Sequence, residues 1–241
     1  MRGHCASALA LMVSLLVLAG SSIAAAPGTV TQLAGTLSVR KPDGSIRILS
    51  SKSEVQSGDT LNTQRDSYAQ IRFADGAQVT LKPNTSVTIE KFNFTEAEPQ
   101  NDNFLFSLLK GGLRAVTGLV GKRGDPEAYQ LGTATATIGI RGTTYGADDC
   151  TGASAGTGQC ANLESAVYVS VSDGEIVVSN NTGSVSFLAG QFGLIDSRDR
   201  RPRFLAADPG LQFTPPASFI QSILGGTAVN AGKSLECVVR R

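Results

Sequence analysis

The chain has 241 residues, with 21 Lys or Arg, 20 Asp or Glu, one histidine, no tryptophan and 27 glycines. Near-neutral charge gives no basic excess to neutralise phosphates, which argues against nucleic acid or a strongly anionic membrane as partner. The shortage of histidine and tryptophan disfavours the common metal sites, histidine-dependent nucleophiles and sugar-stacking platforms, while the high glycine content favours strands joined by tight turns.

At the N-terminus, Arg2 precedes an apolar run from Ala6 to Gly20 interrupted only by Ser7 and Ser14. Small residues follow at Ser21, Ser22, Ala24, Ala25 and Ala26. Charge, short apolar core and small-residue exit read as a secretory signal peptide over residues 1–24, cut after Ala24. An uncleaved anchor is the alternative, because the uncharged stretch from Cys5 to Ala26 is long enough to span a bilayer. No later segment is apolar enough to cross, so no membrane span is expected after cleavage. Cleavage would remove Arg2 and the only histidine, His4, and leave 20 basic and 20 acidic residues.

From Val30 to about Ile195 apolar residues alternate with polar ones, the period of a strand. Leu37 and Val39 alternate up to Pro42-Asp43-Gly44, which turns into Ile46 and Ile48. Ala69, Ile71 and Phe73 lead through Asp75-Gly76 into Val79 and Leu81. Residues 96–103 are polar, contain Pro99 and read as a loop. Residues 104–109 fit either a strand, through Phe104, Phe106 and Leu108, or a short helix, through Leu105, Leu108 and Leu109. The sharpest alternation runs from Thr133 to Arg141, with Ala134, Ala136, Ile138 and Ile140 on one face, and Gly142 then predicts a turn or bulge. Val167, Val169 and Val171 lead through Asp173-Gly174 into Ile176 and Val178. Each Asp-Gly pair predicts a hairpin, since two-residue turns need positive φ. Residues 198–216, rich in charge and proline, end the pattern, and Phe219 to Leu224 reads as a short helix. The expectation is an all-β domain over residues 27–195, built of many short antiparallel strands and hairpins as a β-solenoid, sandwich or roll. A Pro- and charge-rich linker and less regular tail fill residues 196–241.

Few residues suggest chemistry. Gly152-Ala153-Ser154-Ala155-Gly156 matches a nucleophile elbow, yet no histidine remains after residue 4 and the segment lies in a Gly-rich loop. Asp148-Asp149 is the obvious carboxylate pair for glycoside hydrolysis or weak calcium binding, but reads as solvated loop. Arg123-Gly124-Asp125 reads as a turn rather than an adhesion tripeptide. Asn84, Asn93 and Asn180 fit glycosylation acceptors only in a pathway that glycosylates them. In an oxidising compartment Cys150 and Cys160 are expected to pair, leaving Cys237 unassigned. Arg141 and Gly142 are expected to be structural, the guanidinium bonding backbone carbonyls of adjacent turns. No catalytic residue, metal ligand or cofactor is expected.

The order of segments resembles a known module. Val55-Gln56-Ser57-Gly58-Asp59-Thr60-Leu61-Asn62-Thr63, Asp66 to Phe73, Asp75-Gly76 and Val79-Thr80-Leu81 are similar to the core of the FecR-type domain. So are Lys110-Gly111-Gly112-Leu113-Arg114, the box Thr137-Ile138-Gly139-Ile140-Arg141-Gly142-Thr143, Val171 to Val178, and Ala189-Gly190-Gln191. The resemblance implies a bacterial periplasmic β-rich domain that relays signals by protein contact. The best-known members place a cytoplasmic sigma-factor-binding region and a membrane helix before this domain. Here nothing substantial precedes the apolar segment, so a stand-alone exported form is expected, binding a protein or cell-envelope polymer. A purely structural envelope protein is the alternative, and a carboxylate-based hydrolase a third reading.

Overall fold

The computed structural model describes residues 27–211, except Gly124, Pro126 and Thr157, together with Phe219. The expected signal peptide and the remainder of the helix expected over 219–224 lie outside these residues. Among the described residues no helix is long and apolar enough to cross a membrane.

Strands dominate, and fifteen are present among the described residues. The first eight are β1 (Gly28–Ala34), β2 (Leu37–Arg40), β3 (Ile46–Leu49), β4 (Glu54–Val55), β5 (Thr60–Thr63), β6 (Tyr68–Phe73), β7 (Gln78–Leu81) and β8 (Ser86–Asn93). The rest are β9 (Asn103–Val116), β10 (Tyr129–Gly132), β11 (Thr137–Asp149), β12 (Val167–Asn180), β13 (Gly183–Leu188), β14 (Phe192–Ile195) and β15 (Arg203–Leu205). All pair antiparallel except β9 with β10, which run parallel.

The connected sheet folds over into two layers that share their long strands. One layer runs β3-β2-β5-β8-β9-β10-β11-β12-β13 and uses residues 103–110, 137–141 and 175–180 of the shared strands. The other runs β4-β1-β6-β7-β9-β11-β12-β14-β15 and uses residues 111–116, 144–149 and 167–173. The layers pack face to face: Phe73 of the second meets Phe104 of the first with ring centroids 4.4 Å apart, and Phe104 stacks on Tyr129 at 4.8 Å. Alternation supplies this core, with Ile71, Leu81, Ile89, Phe104, Leu113, Ile138 and Phe187 all buried. Each such side chain contributes roughly 1.5–3 kcal/mol by leaving water.

Two of the three Asp-Gly pairs turn hairpins. Asp43-Gly44 joins β2 to β3, with Gly44 at φ 84° and the Lys41 N–H donating to the Ser45 carbonyl at 2.8 Å. Asp75-Gly76 joins β6 to β7, and the buried Asp75 carboxylate accepts the N–H groups of Ala77 and Val120. The third pair departs from expectation. Asp173-Gly174 lies inside the continuous strand β12, opposite a bulge at Gly142 and Thr143 in β11. Gly142 and Gly174 take φ of 60° and 79° where both strands bend from one layer into the other, and Gly111 marks the same crossing in β9. A bulge adds a residue and a kink without reversing the chain, so Asp-Gly chemistry serves a corner here as well as a turn. Residues 104–109 form the first half of β9, with Phe104, Phe106 and Leu108 buried, so period two prevails over the helical reading.

Candidate functional site

The outward face of the second layer carries the most organised polar group in the protein. Strand register sets Lys82, Gly112, Asp148, Tyr168 and Leu194 side by side across β7, β9, β11, β12 and β14. Gly112 has no side chain, and Lys82 reaches across it to Asp148. Its ammonium lies 2.7 Å from Asp148 Oδ1, 2.9 Å from Oδ2 and 2.7 Å from the Leu211 carbonyl. Gln159 Nε2 donates to Asp148 Oδ1 at 2.7 Å. A Cβ added at Gly112 would run into the Asp148 carboxylate and Gln159, so close approach fixes glycine there. Lys82 and Asp148 are both about 4% exposed. Burial pushes the Asp148 carboxyl up to about 6, against the pull of Lys82 and Gln159, with a further push from Asp208.

The next row of the same face is Thr80, Arg114, Gly146, Ser170 and Phe192. Gly146 contributes no side chain between Arg114 and Ser170, and the gap becomes the floor of a cleft of about 380 Å³. Tyr168, Phe192, Asp208, Pro209 and Leu211 form its walls. The wall segment is held by the Lys82 bond to Leu211 and by a small apolar cluster of Cys150, Cys160, Ala166, Tyr168, Leu194 and Leu211. Beyond it Phe219 rests near Tyr68, ring centroids 6.1 Å apart.

Cys150 and Cys160 sit with sulfurs at bonding distance and Cα atoms 5.5 Å apart. Their bridge closes the loop that presents Gln159 to Asp148. Mass mapping of the unreduced protein is expected to return the Cys150–Cys160 peptide, and replacing both cysteines by alanine to lower stability by about 3 kcal/mol. Two free thiols, or a bridge to Cys237, would contradict this.

Several residues singled out in the sequence take other roles here. Asp148-Asp149 is not a solvated pair: both are buried, and alternation along β11 sends them to opposite faces. Asp149 accepts from the Thr151 N–H and hydroxyl while Asp148 meets Lys82, so the two carboxylates do not converge on a substrate. Ser154 is buried in a short helical turn inside the disulfide loop. Arg123 is pinned by Asp102 at 3.0 Å, by the Thr95 and Glu96 carbonyls and against the Phe94 ring, so it is not displayed for adhesion.

The box Arg141-Gly142-Thr143 forms the β11 corner. Arg141 is exposed and its guanidinium makes no hydrogen bond among the described residues, contrary to the clamp expected of it. Thr143 holds the corner instead. Its hydroxyl lies 2.7 Å from the Glu175 carbonyl and 3.0 Å from that of Arg141, and its N–H donates to Thr117 Oγ1 at 2.6 Å. Sequence reasoning passed over Thr117 and Lys82. For Lys82 a signal existed: it continues the outward alternation of Gln78 and Thr80 at the end of β7.

Two crystal structures of a candidate anti-sigma factor from Parabacteroides distasonis are similar, at 14% and 13% identity and TM-scores of 0.46 and 0.45. Each match covers 62% of this chain and 60% of that one, so the chain spans about three fifths of their length. A cell surface anchoring domain matches 25% of this chain and 80% of its own, at 28% identity and a TM-score of 0.25. No curated protein matches. Residues 59–177, from the buried Asp59 before β5 into the second half of β12, match the family described as FecR protein. Residues 59–177 of the chain therefore carry a FecR-type domain.

Proposed function

We propose that this chain is a non-catalytic FecR-type module that works in the periplasm, exported by residues 1–24, and relays a signal by contacting a protein or cell-envelope polymer. The FecR-type domain supports a signalling role. The carrying observation is the cleft beside Lys82 and Asp148. Its buried charges, Lys82 and Asp148, are spent on each other and on tying down the Leu211 segment. What the cleft offers a partner is shape, with Arg114, Asp208 and the Ser170 hydroxyl among its lining. The cysteine bridge suits an oxidising compartment.

Filling the cleft tests this reading. Ser170 is half-buried on the outward face, so Ser170→Trp is expected to leave the melting temperature within a few degrees. Periplasmic pull-down with the parent protein is expected to recover a defined partner that the Ser170→Trp variant loses. Recovery of the same proteins by both forms, or of none by the parent, would refute the cleft as the contact site.

A further inference from the structure

Among the described residues the first layer ends in two unpaired edges of different character. At one end β13 turns Ser184 and Ser186 outward, with Ser184 bonded to Ser179. At the other end β3 turns out Ile46 and Ile48, which are 68% and 70% exposed and the most exposed large apolar side chains among the described residues. The ladder phase adds a second property. The Lys41 N–H bonds to the Ser45 carbonyl, and Val39 opposes Arg47 and Leu37 opposes Leu49. Alternation of bonded and non-bonded pairs then directs the backbone groups of Arg47 and Leu49 back to β2, and those of Ile46 and Ile48 to the open edge. Among the described residues this is an unpaired edge with apolar side chains on its outer face, a template for another strand.

The charges decide which strand fits. Arg47 lies between the two isoleucines on the opposite face and is exposed, as is Arg40 beside Ile46. Neither takes part in an ion pair or side-chain hydrogen bond among the described residues. Lys41, by contrast, is held by Asp59 at 2.9 Å. Arg47, Ile48, Lys41 and Glu54 of β4 border a concavity of about 420 Å³ between the two layer edges. Glu54 belongs to β4 of the other layer, whereas Arg47 would be the direct cross-strand neighbour of an added residue. A second copy of β3 pairing about a two-fold through Arg47 would set two arginines opposite each other, which is unfavourable.

We propose that β3 is a docking edge for an extended segment of a partner protein with an apolar–acidic–apolar alternation. The segment adds as a strand beside β3. Its backbone pairs with the free N–H and C=O groups of Ile46 and Ile48, its apolar residues cover those two side chains, and its carboxylate faces Arg47. This mode combines main-chain affinity with side-chain selection. The inference rests on the reading of the chain as a protein-contact module, but the edge lies on the other layer from the cleft and is tested separately.

The probes are two short synthetic peptides, one alternating valine with glutamate and one alternating valine with lysine, added to the full chain. The readout is backbone amide exchange by NMR. In the free protein the Ile46 and Ile48 amides are expected to exchange rapidly, and to become protected on addition of the glutamate peptide but not the lysine peptide. Arg47→Glu is expected to reverse that preference, weakening the glutamate peptide about fivefold or more. Ile48→Pro removes an N–H that bonds nothing inside the fold, so it is expected to abolish binding while the protein melts as before. Equal binding of both peptides, protection elsewhere or no protection overturns the proposal. So does protection without peptide: if it rises with protein concentration the occupant is a second copy, and if it disappears on deleting residues 220–241 the occupant is the chain's own tail. Loss of cleft-dependent capture by Ser170→Trp leaves these measurements unaffected, so the two readings fail independently.

Discussion

Asp148→Leu is expected to lower the unfolding free energy by about 3–5 kcal/mol, and Lys82→Met by a similar amount. The reason is the asymmetry of a buried pair. Each partner is removed from water, and deleting one leaves the other as an uncompensated buried charge. Lys82→Ala would also free the Leu211 carbonyl and loosen the cleft wall. Replacing both residues at once, Lys82→Met with Asp148→Leu, is expected to recover most of the loss, because apolar groups need no partner. Urea unfolding of the four proteins decides the matter, and a double variant whose loss equals the sum of the singles would show that the pair is not coupled. A pH series adds a second signature. With its native pKa raised from 3.8 to about 6, Asp148 keeps its proton in the folded state where the unfolded chain has already lost it. Its contribution is therefore full below about pH 4 and is lost as the pH rises through about 6, on the order of 3 kcal/mol in all. Asp148→Asn is expected to lack that decline.

Gly174→Val is expected to cost more than about 4 kcal/mol, or to prevent folding, whereas Gly142→Ala costs about 1–2 kcal/mol. Both glycines take positive φ at the same corner, so both substitutions meet backbone strain. They differ in space. A Cβ at Gly142 meets only Lys122 Cγ, at 3.5 Å, in ordinary contact. At Gly174 it would lie 2.6 Å from the Gly142 carbonyl oxygen and 3.1 Å from Thr143 Cα, backbone atoms that cannot swing aside. Thermal melts of the two variants check the ranking, and equal losses would mean that φ alone governs the corner.

The contrast between these corners and the true hairpins shows what the sequence carries and what it does not. Period-two patterning placed most buried side chains, because facing inward is a property of each strand by itself. Asp43-Gly44 and Asp75-Gly76 were legible as turns for the same reason: the turn chemistry is local. Asp173-Gly174 has the same chemistry, and only its partner β11 makes it a bulge. The parallel pairing of β10 with β9 likewise depends on where residues 117–128 carry the chain between the two strands, which neither strand's own pattern shows. Lys82 and Asp148 stand 66 residues apart, and alone each reads as a surface charge. Their burial becomes visible only when register lines up β7, β9 and β11 with a glycine between them. The family resemblance, carried by the order of several short motifs, was legible throughout, whereas the contact edge at β3 needed the ladder phase to appear.

Because β9, β11 and β12 each belong to both layers, neither layer is a smaller protein that stands by itself. A chain emerging N-terminus first can form its early hairpins and pair β9 with β7, but β9 has its other second-layer neighbour only once residues 144–149 arrive. β11 in turn waits for residues 167–180. Closing those loops costs chain entropy before the distant pairings repay it, which places this architecture among slow folders. Until residue 180 is in place the half-built sheets expose further unpaired edges, so incompletely emerged chains of this design are the ones most vulnerable to association.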